Sequence, residues 1–369
     1  MNISRAQVMA YRIARHGLHR DTTNRDTTNL AVLDLGVQDA GNGSPQVALA
    51  ARVPADTPLD DDALTTVWTF RGAPHLMRRA DVADLAARLW PRGETDAIAR
   101  LGGAGTVFKK AGVSGMSAFS DAAHAMHDVV HTELPRGEVS TEVTRRLPPD
   151  DSYDCRTCQA THIYGSLFQL VGLAAGIEVD GRARPTLLRP LPHRHPVPDA
   201  GSGAAPVIET YLRLHGPATT ADAAAFLETT KKEAAAMWPS GLAEITVDGR
   251  ATSLPESEVD TLRAAPDPDL VRLLPPLDPF LQGRDRDLLV PDAAHRKALW
   301  RVIGNPGAVL AGGEIVGTWR AKASGRKLAI TVEPFTKLTR ATTRAAKAES
   351  QRVAAARGFA EATFAVTDS

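Results

Sequence analysis

The sequence predicts an α+β protein made of three tandem winged helix-turn-helix units, a β-rich C-terminal part and a basic terminal helix. Three observations lead there. A succession of short amphipathic helices closed by a strand or hairpin recurs along the first two thirds of the chain. From about residue 270 the pattern changes to short runs of β-branched residues divided by Gly-containing turns, and after Pro334 it changes again to Ala interleaved with Arg and Lys. The units fall at 1–100, 101–190 and 205–266, with a linker at 191–204 and the C-terminal part at 267–369. A chain of 369 residues with 43% hydrophobic and 23% charged residues has enough apolar material for two or three ordinary cores.

In the first unit, Ser4 caps a helix reaching about residue 16, with Val8, Tyr11 and Ile13 roughly on one face. A polar DTTNRDTTN run leads to a second helix over 31–37, which ends at Gln38 and Asp39 because the following GNGSP cannot continue it. A third helix occupies 46–52, and TTVWTF followed by RGAPHLMRR reads as a strand and a basic turn. The second unit has helices over 120–134, 140–147 and 161–175, then a hairpin over 177–188 turning at Asp180-Gly181. The linker, LPHRHPVPDAGSGA, is stiff at its start and loose at its end. The third unit is the plainest: helices over 205–215, 221–227 and 230–238, the last two capped by threonines, then a hairpin over 242–254 around Asp248-Gly249. In the C-terminal part, strands are expected at 288–290, 308–310, 314–320 and 327–333, with turns at Gly312-Gly313 and Ser324-Gly325. The helix over 334–358 buries little by itself, so it must lie on the strands or on an anion.

The net charge is zero but unevenly placed. Between Trp319 and Arg357 stand ten Lys/Arg against Glu333 and Glu349, and the first thirty residues carry five Arg against two Asp. Segregated cations in a neutral chain point to a polyanion, the other reading being a solvated helix. On that reading Arg71, His75 and Arg78 at the tip of the first wing suit phosphate, and Lys231 and Lys232 open a helix better suited to the backbone than to base edges. Arg284, Arg286, His295 and Arg296 on the 278–301 stretch, with Arg320, Lys322, Arg326 and Lys327, extend the basic surface. Arg284-Asp285-Arg286-Asp287 reads equally as a surface ion-pair network.

Cys155-x-x-Cys158-x-x-x-His162 has the look of part of a zinc site, yet no second cysteine pair exists, and packed thiols are the alternative. Phosphate-binding glycine loops and the HExxH and GxSxG motifs are absent. No signal-like N-terminus or long apolar run occurs, and two cysteines fit a reducing compartment, so a cytoplasmic, nucleoid-associated protein is expected.

LGVQD followed by ALAAR, FRGAPH, CRTCQATH, PLDPFLQGRDRDLLVP, HRKALWR, NPGAVLAGGEIVGTWR and ITVEPF occur in that order. Together they resemble the tandem winged-helix DNA glycosylases of the AlkZ/YcaQ type. The resemblance implies a monomer acting on damaged double-stranded DNA, without metal or cofactor, that removes alkylated purines, in some members from interstrand crosslinks, by hydrolysing the N-glycosidic bond. It also implies a catalytic Gln-x-Gln or Gln-x-Asp motif on the stretch 33–53. Gln38 matches its first position, Ala40 occupies the second, and Asp39 is the neighbouring acid. The catalytic candidates are therefore Gln38 and Asp39. The competing reading is a non-catalytic winged-helix DNA-binding protein that recognises damage or regulates transcription.

Overall fold

A computed structural model describes residues 1–157 and 159–367. It has a mixed α+β architecture in two compact units. The first unit comprises 1–62, 209–222 and 240–369, and the second 63–208 and 223–239, so the chain passes between them several times.

The first unit is organised about the helix Arg5–Arg15, where Ser4 Oγ accepts the backbone N–H of Gln7. Its apolar residues serve two cores. Val8 and Tyr11 pack with Ile245, Val247, Leu254 and Leu262, while Met9 and Ile13 pack with Leu274, Phe280 and Leu310. The first of these cores backs a small sheet in which Asn2–Ile3 lies parallel to Leu242–Val247, itself paired with Arg250–Pro255. Asp248 and Gly249 take positive φ of 46° and 87° at the hairpin turn, the left-handed pair that a two-residue connection needs.

The larger sheet has five strands in the order Val271–Leu274, Gly307–Ala311, Glu314–Ser324, Lys327–Pro334, Glu361–Val366. The first four are antiparallel and the last is parallel to its neighbour. A parallel pair needs a crossover, and the basic helix Arg340–Ala356 supplies it. Its Ala346, Val353 and Ala354 pack on Trp319, Leu328, Ile330 and Val332, so of the two supports expected for this helix the strands provide one. It starts at Thr339, whose hydroxyl accepts the Thr342 N–H, later than the residue 334 start expected, because the fourth strand runs on to Pro334.

The second unit packs Trp68, Trp90, Phe108, Phe119, Met126, Val139, Leu167 and Phe168 into one core. It contains the hairpin Leu64–Trp68 with Pro74–Arg78, and a three-stranded sheet of Leu134–Pro135, Leu187–Pro190 and Ile177–Asp180. The stretch after Pro190 is tied to this unit. Arg194 donates to the carbonyls of Ala175 and Val130, and the Ser202 N–H donates to Ala87 O.

Several expected elements differ. The helix over 31–37 is a single 3-10 turn, Ala31–Asp34, followed by the short strand Val37–Gln38, because Gly36 at φ 78° turns the chain out of the helix. The helix over 161–175 divides into the strand Ala160–Ile163, paired with Ser152–Cys155, and the helix Gly165–Leu170. Residues 288–290, expected as a strand, follow Asp285 into the short helix Arg286–Leu289. Among the described residues no helix is long and apolar enough to cross a membrane.

Candidate functional site

The candidate catalytic stretch is shaped by three successive positive φ values, 81° at Gly41, 54° at Asn42 and 70° at Gly43, a conformation that favours Gly and Asn. Asp39 and Ser44 brace this turn. Asp39 Oδ1 accepts the Gly41 N–H at 2.7 Å and the Ser44 hydroxyl at 3.4 Å, while Ser44 Oγ accepts the Ala40 N–H at 2.7 Å. Asp39 therefore stands in a turn that opens the helix Ser44–Ala50, not at the end of a preceding helix as expected. Its Oδ2 has no hydrogen-bond partner among the described residues.

Gln38 is held from elsewhere in the unit. Gln282 Nε2 donates to Gln38 Oε1 at 3.0 Å and to Leu277 O at 3.0 Å. Gln282 itself is buried on a 3-10 turn, Pro279–Gln282, whose start is fixed by Asp278 Oδ1 accepting the Phe280 N–H. Asp278 in turn forms a bidentate pair with Arg52, Nη1 and Nη2 lying 2.9 and 2.7 Å from its oxygens, both side chains fully buried. Beyond Gln282, Asp285 makes a second buried bidentate pair with Arg12 at 3.0 and 2.6 Å. Burial alone would lower the Arg12 pKa, but the Asp285 carboxylate, helped by Tyr211 and Asp222, offsets this and the group stands above its ordinary value. Buried charges are tolerable only when so paired. The 278–285 stretch is thus a buried clamp that positions Gln38. This corrects the surface ion-pair reading for Asp285, and the roles of Gln282, Asp278 and Asp285 were not foreseen. The signal that was present is an arginine closing an otherwise apolar helix, as Arg52 does in VALAAR.

Beside the turn lies a cleft holding about 640 Å³ of open space. Ala40, Gly41, Asn42 and Ser44 form one wall, and Pro275, Asn305, Gly307, Trp319, Arg320 and Arg357 contribute the others. Gly307 is required here: a Cβ would come within 2.3 Å of the Trp319 ring, which is itself fixed by its Nε1–H donating to Leu274 O. The charged lining groups, Arg320 and Arg357, are both cations, and burial lowers the Arg357 pKa. Asn305 Oδ1 is buried here without a hydrogen-bond partner. The cleft therefore favours an anionic ligand that can also donate a hydrogen bond.

The remaining candidates separate into groups. Arg320, Lys322 and Lys327 share the exposed face of the large sheet, because alternate residues of a strand point the same way and Ser324 pairs with Lys327 across the turn that holds Arg326. Lys327 is paired with Glu361 at 2.9 Å. Arg286 lies 5.0 Å over the Trp300 ring, and His295 stacks on Phe335 at 4.0 Å. Arg284 donates its backbone N–H to Tyr211 Oη, and the Arg296 guanidinium is spent on the carbonyls of Val290 and Pro291.

In the second unit, Arg71 sits at φ 61° in the hairpin turn and Arg78 pairs with Asp81 at 3.1 Å. His75 is only 3% exposed, with its Nδ1 2.9 Å from Ala73 O and its ring against Phe70. Burial drives its pKa down to about 3, so it is a neutral packing residue and not the phosphate donor expected. Lys231 and Lys232 are exposed at the start of the helix Lys231–Ala236. His162 faces Tyr153 across the hairpin that carries Cys155, while Cys158 lies outside the described residues. Among the described residues no group of three or more His, Cys, Asp or Glu is placed to hold a metal ion.

Comparison with solved structures aligns the whole chain with the whole of the Streptomyces sahachiroi DNA glycosylase AlkZ, at a TM-score of 0.74 and 21% identity, which establishes a common fold. Comparison with curated protein sequences finds no match. The family model for AlkZ-like DNA glycosylases matches residues 32–356, a span running from the turn before Gln38 to the end of the basic helix. The chain belongs to the AlkZ-like DNA glycosylase family, and DNA is its substrate.

Proposed function

We propose that this glycosylase acts as a monomer on alkylated purines in duplex DNA, including those in crosslinks, and that Gln38 and Asp39 carry the chemistry. The observation that bears most weight is the fixing of the Gln38 amide by buried Gln282, immediately before a turn whose Asp39 carboxylate keeps one oxygen uncommitted. A purine alkylated at N3 or N7 is cationic. It departs with the electron pair of the broken C1′–N bond and becomes neutral, so no acid is needed on the base. What remains is to stabilise the oxocarbenium-like sugar and to deliver water to C1′. Asp39 Oδ2 meets the first requirement electrostatically. The Gln38 side-chain amide can orient the water, whose proton passes to solvent. The products are a free base and an abasic site.

Ala40, at the second position of the motif, contributes only its backbone, whose N–H braces Ser44. The division into three winged-helix units at 1–100, 101–190 and 205–266, the linker at 191–204 and the C-terminal part at 267–369 belongs to the same reading. It is supported best for the third unit, by the succession Ala205–His215, Thr220–Leu227, Lys231–Ala236 and the hairpin Leu242–Pro255. Phosphate contacts fall to Arg320, Lys322, Arg326, Lys231 and Lys232, exposed cations for which no ion pair is found among the described residues.

The test is incubation with duplexes carrying N3-methyladenine or N7-methylguanine, followed by cleavage at abasic sites. Gln38→Ala and Asp39→Asn should each lower the single-turnover rate by about 100-fold. Unmutated protein that releases no base from any alkylated duplex would overturn the reading.

A further inference from the structure

The loop 301–304 connects the helix Ala293–Leu299 to the strand Gly307–Ala311, and its two apolar side chains are bare: Val302 is 102% exposed and Ile303 88%. Both ends of the loop are anchored. On one side Trp300 donates its N–H to Arg296 O and carries the Arg286 guanidinium on its ring. On the other, Arg320 Nη2 donates to Gly304 O at 2.9 Å, with Gly304 at φ 69° turning the chain back toward the sheet. Two adjacent β-branched side chains held in water at the tip of a pinned loop do nothing for the core, and their stiffness suits insertion.

The surroundings indicate what they insert into. From Lys297 to Gly313 the chain holds no acid, and Arg301, next in the chain, and Arg320, bonded to Gly304 O, flank the tip. Asn305, directly after the loop, enters the cleft that the 40–44 turn walls on its other side. We propose that Val302 and Ile303 form an apolar wedge that enters a base-pair step of duplex DNA, with Arg301 and Arg320 on the flanking phosphates. The wedge occupies the gap left when a damaged nucleotide leaves the stack toward the Asn305 cleft. Apolar side chains inserted between base steps open and kink a duplex in just this way. The proposal rests on duplex DNA as the ligand, but not on base excision.

The test uses the full chain and two duplexes of one sequence, intact or carrying a tetrahydrofuran abasic analogue opposite 2-aminopurine. Unmutated protein should alter the 2-aminopurine emission at saturation and bind the analogue duplex more tightly than the intact one. Val302→Ser/Ile303→Ser should keep its intact-duplex Kd within about twofold, lose about tenfold on the analogue and abolish the emission change. The side chains are exposed, so its Tm should not move. Ile303→Phe, which keeps a wedge, should retain both preference and emission change. The proposal is overturned if the serine variant matches the unmutated protein in Kd and emission, if it weakens on both duplexes equally, or if its only change is loss of self-association. If the analogue is preferred and the wedge behaves as described while no alkylated base is ever released, the excision reading fails and this one stands.

Discussion

Asp278→Ala isolates the clamp behind the candidate site. The substitution leaves the Arg52 guanidinium fully buried, with bonds to the carbonyls of His16 and Ala48 but no counter-charge. It also removes the acceptor for the Phe280 N–H that starts the turn carrying Gln282. Stranding one member of a buried ion pair costs about 3–5 kcal/mol, and loss of the Phe280 bond adds about 1 kcal/mol, so a total of about 4–6 kcal/mol is expected. By contrast, Arg52→Met combined with Asp278→Leu removes both charges and fills the space with apolar atoms, which should cost under about 2 kcal/mol. Urea unfolding followed by tryptophan fluorescence, with the midpoint compared at constant slope, measures both. The double variant should be the more stable of the two. If Asp278→Ala lowers stability by less than about 1 kcal/mol, or the double variant loses as much as the single, the pair is not the structural centre argued here.

Three further outcomes follow from particular contacts. Gln282→Leu should slow excision by about tenfold while leaving the Kd for DNA unchanged, and should have no further effect in a Gln38→Ala background; additive losses would mean Gln282 does not act through Gln38. Lys322→Ala with Arg326→Ala should weaken binding to every duplex alike and reduce the slope of log K against log salt by about 2, as measured by anisotropy over a salt series. Asp151 is buried and lies near Asp121 and Asp150, and these effects, burial first, raise its pKa to about 6. A carboxyl raised above its unfolded value keeps its proton in the folded state, so it destabilises the fold increasingly as pH climbs from about 4 to 6. Asp151→Asn should therefore gain about 3 kcal/mol at pH 7 and nothing near pH 4, read from urea midpoints at the two pH values.

What the sequence determined by itself was local. The hydroxyl cap at Ser4, the Asp248-Gly249 turn and the alternation of the strands Glu314–Ser324 and Lys327–Pro334 each depend on neighbours a few residues away, and each stands where it was expected. Family motifs brought Gln38 and Asp39 forward for a reason that lies in the chain order of short segments. Where local signals competed, the reading failed: the mostly apolar stretch 31–37, interrupted by Asp34, satisfies a helix and a strand alike until Gly36 turns it.

Only the tertiary structure decided the rest. Asp278 and Asp285 look like surface acids among arginines until Arg52 and Arg12 are brought against them from more than two hundred residues away. His75 looks like a phosphate donor until burial against Phe70 removes its charge. Val302 and Ile303, residue types that usually fill cores, are exposed to water. Burial and charge compensation are properties of what surrounds a side chain in space, and that surrounding is supplied by distant segments whose identity no local pattern encodes.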